Sequence, residues 1–271
     1  MIALDLSLLK KIDVIAREAG HAIMAIYEKD FEVSYKSDAS PLTQADKDAH
    51  EIIKKNLLKL TPYIPILSEE DSTNFKGPNH EGYYWLVDPL DGTREFIKKN
   101  GEFTVNIALI HYGVSVLGVV YAPFFDQSYH AVSSMGSYKT DREGYDILIK
   151  MNEYKKNETW KVLGSRSHET SQIDKFLARL RSYELTPLGS SLKMCKLAEG
   201  IAHLYVRLGP TSLWDTAASQ CILEEAGGKI VNLKGEPLRY DWHDSPFNPP
   251  FFAAHHHSVR DISLLIKQTT E

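Results

Sequence analysis

Cysteine is scarce: 271 residues contain only Cys195 and Cys221, with no second pair at metal-ligand spacing. That excludes a disulfide framework and a zinc-finger scaffold, and the two read as reduced, partly buried thiols of a cytosolic protein. Long apolar runs are missing too, so no segment of about 20 residues is suited to span a bilayer. Asp5 and Asp13 interrupt the apolar positions of the N-terminus and no basic segment leads it, so no signal peptide is expected. Excess basic charge is lacking, and a net charge of −5 argues against binding nucleic acid polymers. Several catalytic signatures are also absent. Neither Gly-x-Ser-x-Gly nor a phosphate-binding Gly-x-x-x-x-Gly-Lys-Ser/Thr occurs, and Ser190-x-x-Lys193 lacks the Lys-Thr-Gly that a penicillin-recognising enzyme needs. A calcium loop opening at Asp88 would place Leu90, Thr93 and Lys99 where an oxygen ligand, a glycine and a glutamate are required.

What the chain does have is 43% hydrophobic residues, enough for a large core in one big domain or two smaller ones. Leu4, Leu8, Ile12, Ile15, Ala19, Ile23 and Ile26 recur at three- and four-residue steps, which predicts an amphipathic helix ending near Lys29. A second helix is predicted from about Gln44 to Leu60, after a polar loop carrying Lys36 and Asp38. Strands are expected at 83–87, 104–110 and 114–121, the last two as a hairpin through His111-Tyr112-Gly113. Beyond a polar stretch near 141–158, short strands at 160–163, 202–206 and 229–231 alternate with helices near 170–181, 191–199 and 214–226. This suggests two packed α/β layers, divided into an N-terminal α+β region (1–145) with most of the candidate metal ligands and a C-terminal α/β region (146–271) with Asp215.

The chemistry concentrates in acids at the tips of apolar segments. Residues 83–87 run into Asp88-Pro89-Leu90-Asp91-Gly92-Thr93, and 64–68 run into Glu69-Glu70. Trp214-Asp215-Thr216 opens a predicted helix. Taken alone, Asp215 reads first as a helix cap or dipole partner, Asp88 and Asp91 as a solvated turn, and Glu69-Glu70 as a charged loop. Three separate element ends that each present acids point instead to one shared site. Oxygen ligands of this kind suit a hard cation such as magnesium, which commonly shares its coordination with substrate phosphates. His255-His256-His257 reads as a solvated tail and is given no role.

In this order and spacing, Glu69-Glu70, Asp88-Pro89-Leu90-Asp91-Gly92-Thr93 and Trp214-Asp215-Thr216-Ala217-Ala218 resemble the inositol monophosphatase superfamily of lithium-sensitive, magnesium-dependent phosphatases. Within it, Glu95-Phe96-Ile97, residues 100–110, residues 118–123 and Gly189-Ser190-Ser191-Leu192-Lys193 are similar to the 3'(2'),5'-bisphosphate nucleotidases of the CysQ type. Arg94 departs from the lysine more usual there, keeping the charge while replacing a point charge with a planar fork. The resemblance implies an α/β fold, a layered αβαβα sandwich, and two or three Mg2+ ions. One ion would be held by Glu69, Asp88 and the Leu90 carbonyl, a second by Asp88, Asp91 and Asp215. Glu69 would take the proton of the attacking water, or Thr93 would relay it to Asp46. Asp46 reads equally as part of a capping box with Thr43. Backbone N–H groups of Gly92 and Thr93 would face the phosphate, and His168, Ser190, Lys193 and Arg207 match positions that contact the second phosphate and sugar. The expected reaction is removal of the 3'-phosphate of adenosine 3',5'-bisphosphate, and of its sulfated form, in sulfate assimilation. An inositol or sugar phosphatase is the nearest alternative, and a non-catalytic binder of metals or polyanions the more distant one. The expected location is cytoplasmic, some relatives being placed at the inner face of the bacterial membrane.

Overall fold

The structure, a computed structural model, describes residues 2–29, 32–35, 41–141, 143–165, 171–242 and 245–270. Helix α1 (Leu6–Tyr27) begins later than its apolar repeat, because Asp5 accepts the Leu8 N–H at 2.8 Å and caps it. Strands β1 (Val33–Tyr35) and β2 (Pro41–Thr43) pair antiparallel where the sequence reads as plain loop. Lys36 and Asp38, between them, lie outside the described residues. Helix α2 (Gln44–Leu60) has the predicted bounds, set by a capping box between Thr43 and Asp46.

The first sheet holds β3 (Ile66–Ser68), β4 (Tyr83–Asp91), β5 (Thr104–His111), β6 (Val114–Ala122), β7 (Gln127–Val132), β8 (Ser137–Thr140) and β9 (Asp146–Ile149), in that spatial order. Only β3 and β4 are parallel. The β5–β6 turn puts Tyr112 and Gly113 at φ 47° and 74°, the backbone a two-residue hairpin requires. Short helix α3 (Thr93–Ile97) follows β4. In the second half, β10 (Trp160–Ser165), helix α4 (Ser171–Leu177), β11 (Tyr183–Leu188), helix α5 (Leu192–Ala198), β12 (Leu204–Arg207), helix α6 (Ala217–Glu225), β13 (Gly228–Asn232), β14 (Phe251–His255) and helix α7 (Val259–Thr270) succeed one another. Their strands form a second sheet ordered β11-β10-β12-β14-β13.

Period-two alternation builds the layers. On β4, Trp85 and Val87 join the core beneath α1 and α2, while Tyr84 and Leu86 face the opposite core, which takes in α5, α6 and one side of the second sheet. The far side of that sheet, with Val162, Leu204 and Phe252, packs on Phe176 of α4 and Ile262 of α7. The result is the expected αβαβα sandwich. One close approach fixes α6: a Cβ on Gly118 of β6 would lie 2.1 Å from the Ala218 carbonyl oxygen, so only glycine lets the helix backbone reach the sheet.

Two expectations are corrected. The polar stretch near 141–158 contains β9, which pairs with β8 through residues 137–140 and 146–149. The three histidines are not a tail: β14 lies between β12 and β13, and its last residue, His255, leads through a 3₁₀ turn (His256–Ser258) into α7. No described helix is long and apolar enough to cross a membrane.

Candidate active site

Strand geometry delivers the first acids side by side. Strands β3 and β4 run parallel with Ser68 opposite Val87, and the Glu69 N–H donates to the Val87 carbonyl at 3.1 Å, so Glu69 and Asp88 leave adjacent strands together. Past that point the β4–β5 ladder slips. Asp88 pairs with Asn106 and Asp91 with Thr104, three steps on one strand against two on the other. Pro89 has no N–H to lose in such a bulge. Asp88 is 1% exposed, and its Oδ1 accepts the Leu90 N–H at 3.1 Å. Gly92 then takes φ 92°, and a Cβ there would meet the Glu102 carbonyl oxygen at 3.0 Å and Ser190 Cβ at 3.3 Å. The tight turn into α3 therefore requires glycine.

Asp91 is held by residues from two segments, the start of α5 and strand β5. Its Oδ2 accepts from the Ser191 N–H and hydroxyl, both at 2.6 Å, and from Asn106 Nδ2 at 3.1 Å. Asp215 closes the 3₁₀ turn Leu213–Asp215 and accepts the Ser212 N–H at 2.9 Å through Oδ2. Asn248 clamps that segment, donating to the Ser212 carbonyl at 2.6 Å and the Thr216 hydroxyl at 3.1 Å. The capping interpretation of Asp215 thus holds, and so does its place among the acids. One carboxylate oxygen from each of Asp88, Asp91 and Asp215 lies within 4.8 Å of the others. Burial, reinforced by the charges of Asp91 and Glu69, pushes the Asp215 carboxyl well above the usual carboxylate range. Buried carboxylates crowded in this way need a proton or a cation, and an all-oxygen donor set fits a hard divalent ion.

Thr93 connects this cluster to Asp46. Its hydroxyl lies 3.1 Å from Asp46 Oδ1 and 3.3 Å from the Leu90 carbonyl oxygen. The other Asp46 oxygen accepts from the Thr43 N–H at 2.8 Å and its hydroxyl at 2.7 Å. Burial raises the Asp46 pKa, with a smaller push from Glu70, against the lowering effect of its Thr43 and Thr93 hydrogen bonds. The carboxylate that closes the α2 capping box is thus also the one that reaches the Thr93 hydroxyl.

Glu69, Asp88, Leu90, Asp91, Gly92, Thr93, Ser190, Lys193, Arg207 and Asp215 all line one cavity of about 350 Å3, within the usual range for small-molecule sites of about 300–1,000 Å3. His168 lies outside the described residues. Lys193 is 7% exposed, donates from Nζ to the Ser190 carbonyl at 2.7 Å and sits 5.4 Å from the Tyr205 ring centroid. Burial, with Arg207 adding repulsion, lowers its pKa to about 8 against the pull of Asp91. Ser190, whose carbonyl Lys193 holds, sits at φ 49°, a strained backbone that tends to occur at working sites. Arg207 donates to the Pro210 carbonyl at 2.6 Å and to Ser165 Oγ at 3.1 Å. Both cations line the cavity, so it carries positive charge beside its acids.

The sequence profile of the inositol monophosphatase family matches residues 5–260. The chain belongs to that family. Among its relatives, the 3'(2'),5'-bisphosphate nucleotidase CysQ of Buchnera aphidicola is 47% identical over 235 residues, which cover 86% of this chain and 87% of that one. The protein of the same description from Escherichia coli K12 is 44% identical, covering 90% and 98%. The crystal structure of CysQ from Bacteroides thetaiotaomicron superposes with a TM-score of 0.78 at 38% identity, covering 92% and 97%. An inositol monophosphatase from Anabaena, at 23% identity and a TM-score of 0.74 over 97% and 95%, shares the fold.

Reading the sequence alone misses the groups that hold this family's acids in place here: Ser191, Asn106, Thr104 and Asn248. A signal existed for two of them. Thr104 and Asn106 are alternate polar residues in the otherwise apolar run of β5, which marks one strand face as polar at its tip. Phe247, at the cavity rim and 58% exposed, carried no such signal, because only the fold brings residues 245–250 beside the 211–216 segment.

Proposed function

We propose that this family member hydrolyses the 3'-phosphate of adenosine 3',5'-bisphosphate to give AMP and phosphate, and acts likewise on 3'-phosphoadenylyl sulfate, in the disposal of by-products of sulfate assimilation. The observation that carries this reading is a single cavity lined both by a three-carboxylate cluster and by two buried cations, Lys193 and Arg207. A phosphatase for one phosphate needs the first feature, and a substrate with a second phosphate uses both. The names of the relatives at 44–47% identity point the same way.

Glu69, Asp88, the Leu90 carbonyl, Asp91 and Asp215 would hold Mg2+, two or three ions in all, as suits hard oxygen ligands. Bound there, the ions would neutralise charge on the phosphoryl oxygens and make a water molecule a stronger acid. The chain's own residues do the rest. Thr93 accepts the water's proton as its hydroxyl passes its own to Asp46, whose raised pKa suits it as an acceptor. The water oxygen bonds phosphorus as the phosphorus–O3' bond breaks, the departing O3' takes a proton from solvent water, and Asp46 returns its proton to solvent to reset the site. Glu69 is the alternative acceptor. Gly92 and Thr93 N–H groups face the phosphate, while Ser190, Lys193 and Arg207 take the 5'-phosphate and ribose, a role shared by His168, which lies outside the described residues. Phe247 supplies a flat apolar face at the rim on which the base stacks. Steady-state phosphate release from the bisphosphate by Lys193→Met and Arg207→Gln tests the assignment. Both should raise KM for it, and unchanged KM in both would remove the second-phosphate pocket.

A further inference from the structure

A second group of ligating side chains lies outside the acidic cavity, none of whose lining it shares. His255 ends β14, and His256 and His257 form the 3₁₀ turn before α7. One ring nitrogen from each lies within 4.8 Å of the others, and the ring centroids are 4.0–5.0 Å apart. Two of the rings already have the partners that metal-bound histidines keep on their outer nitrogen. His256 Nδ1 is 2.8 Å from the Gly227 carbonyl oxygen, and His257 Nδ1 is 2.9 Å from Glu153 Oε1. A carbonyl and a carboxylate can only accept, so in the neutral rings both protons sit on Nδ1 and each Nε2 carries the lone pair that can ligate. His255 Nδ1 receives the His257 backbone N–H at 3.4 Å, a long bond that is cheap to give up.

The geometry points to a binding site for one divalent transition-metal ion of the zinc class, held by His255, His256 and His257 with Glu153 and the Gly227 carbonyl behind them. Imidazole nitrogens select zinc, copper and nickel, whereas magnesium prefers the oxygen cavity, so the two sites sort different ions. Tetrahedral bonds of 2.0–2.1 Å place ligand nitrogens about 3.3 Å apart. The rings therefore draw in from their present separation, which side-chain rotation permits, since His256 and His257 are exposed. Three protein ligands leave a fourth position for water. The ion would fasten together the segment bearing Glu153, the α6–β13 turn at Gly227 and the start of α7.

The test uses the whole chain without a polyhistidine tag, stripped of metal, in millimolar Mg2+ to satisfy the acidic cavity, then titrated with Zn2+ or with Co2+ followed by its visible absorption. One ion per chain is expected. His256→Ala and His257→Ala should each weaken binding at least about 100-fold, and Glu153→Gln about tenfold, since loss of such an outer partner costs about 10–100-fold in affinity. Magnesium-dependent turnover by His256→Ala should match the wild type and so report an intact fold, with Glu153→Gln available should that variant not fold. No binding at about 100 μM Zn2+, affinity unchanged in the histidine variants, or loss of the ion on Asp88→Asn would overturn the assignment.

Discussion

Replacing Asp91 by Asn should separate catalysis from folding. Its Oδ2 is committed to Ser191 and Asn106 donors, so the asparagine oxygen takes that side and the amide –NH2 is left facing Asp88 and Asp215. An –NH2 cannot ligate a cation. Losing one cation's stabilisation of the transition state removes about 3–4 kcal/mol, or roughly 200- to 1,000-fold in kcat. Stability should hardly move, because two effects oppose each other. With a proton on Asp215 when no cation is bound, one charged pair remains. The Asp88 and Asp91 oxygens, no more than 4.8 Å apart, repel by about 3.5 kcal/mol at an effective dielectric of about 20, which the substitution relieves. Three hydrogen bonds to an ionised acceptor become bonds to a neutral one, which loses about 1 kcal/mol each. The net change lies within about 1 kcal/mol, or about 2–4 °C in Tm. Phosphate release with Mg2+ and thermal melts with and without Mg2+ read both quantities. Near-normal turnover in a folded Asp91→Asn protein would refute the metal-site reasoning. A metal-free Tm lowered by more than about 10 °C would refute the energetic balance.

Three further perturbations follow from individual residues. Lys193 titrates near 8 rather than 10.5, so kcat/KM for a bisphosphate should fall as pH rises through about 8, and Lys193→Met should abolish that fall; the same limb in the variant would assign it to another group. By linkage, the ligand-free wild type should gain stability relative to Lys193→Met between about pH 8 and 10.5, where the unfolded chain still holds the proton that Lys193 has lost. The buried Cys195 and Cys221 thiols act the other way in both proteins, and a wild-type-minus-variant difference in denaturant midpoint that falls across this window would contradict the burial of a charged lysine. Phe247→Ala should raise KM for adenosine 3',5'-bisphosphate roughly 5- to 30-fold, from about 1–2 kcal/mol of base stacking, and leave KM for inositol 1-phosphate unchanged; equal effects on both would make Phe247 merely structural. Gly118→Val drives a side chain into the Ala218 carbonyl oxygen and should cost about 2–3 kcal/mol in urea unfolding; a neutral result would mean that α6 is free to shift.

How much of this was legible in the sequence depends on how local the cause is. Helix α2 was readable to the residue because its Thr43–Asp46 box and its apolar spacing are both local. Strands β4, β5 and β6 were readable because alternate residues face two buried cores. Strands β11 and β14 were not. Strand β11 is a largely exposed edge, and β14 owes its extended form to β12 and β13, whose residues lie about 20 to 50 positions earlier in the chain. That placement also overturned the reading of the three histidines as a tail. The acids at strand tips were visible in the sequence, whereas Ser191 comes from 100 positions beyond the Asp91 it holds, and Asn248 from 36 and 32 positions beyond the Ser212 and Thr216 that it ties on either side of Asp215. Sequence spacing names the acids; only the fold shows what orients them.

The most direct measurement is initial-rate phosphate release from adenosine 3',5'-bisphosphate, set beside inositol 1-phosphate and fructose 1,6-bisphosphate, with Mg2+, with EDTA and with lithium. The account predicts a strong preference for the nucleotide, lost with EDTA and inhibited by lithium. A preference for inositol phosphate would contradict the roles given to Lys193, Arg207 and Phe247, and turnover that persists without divalent metal would contradict the reading of Asp88, Asp91 and Asp215.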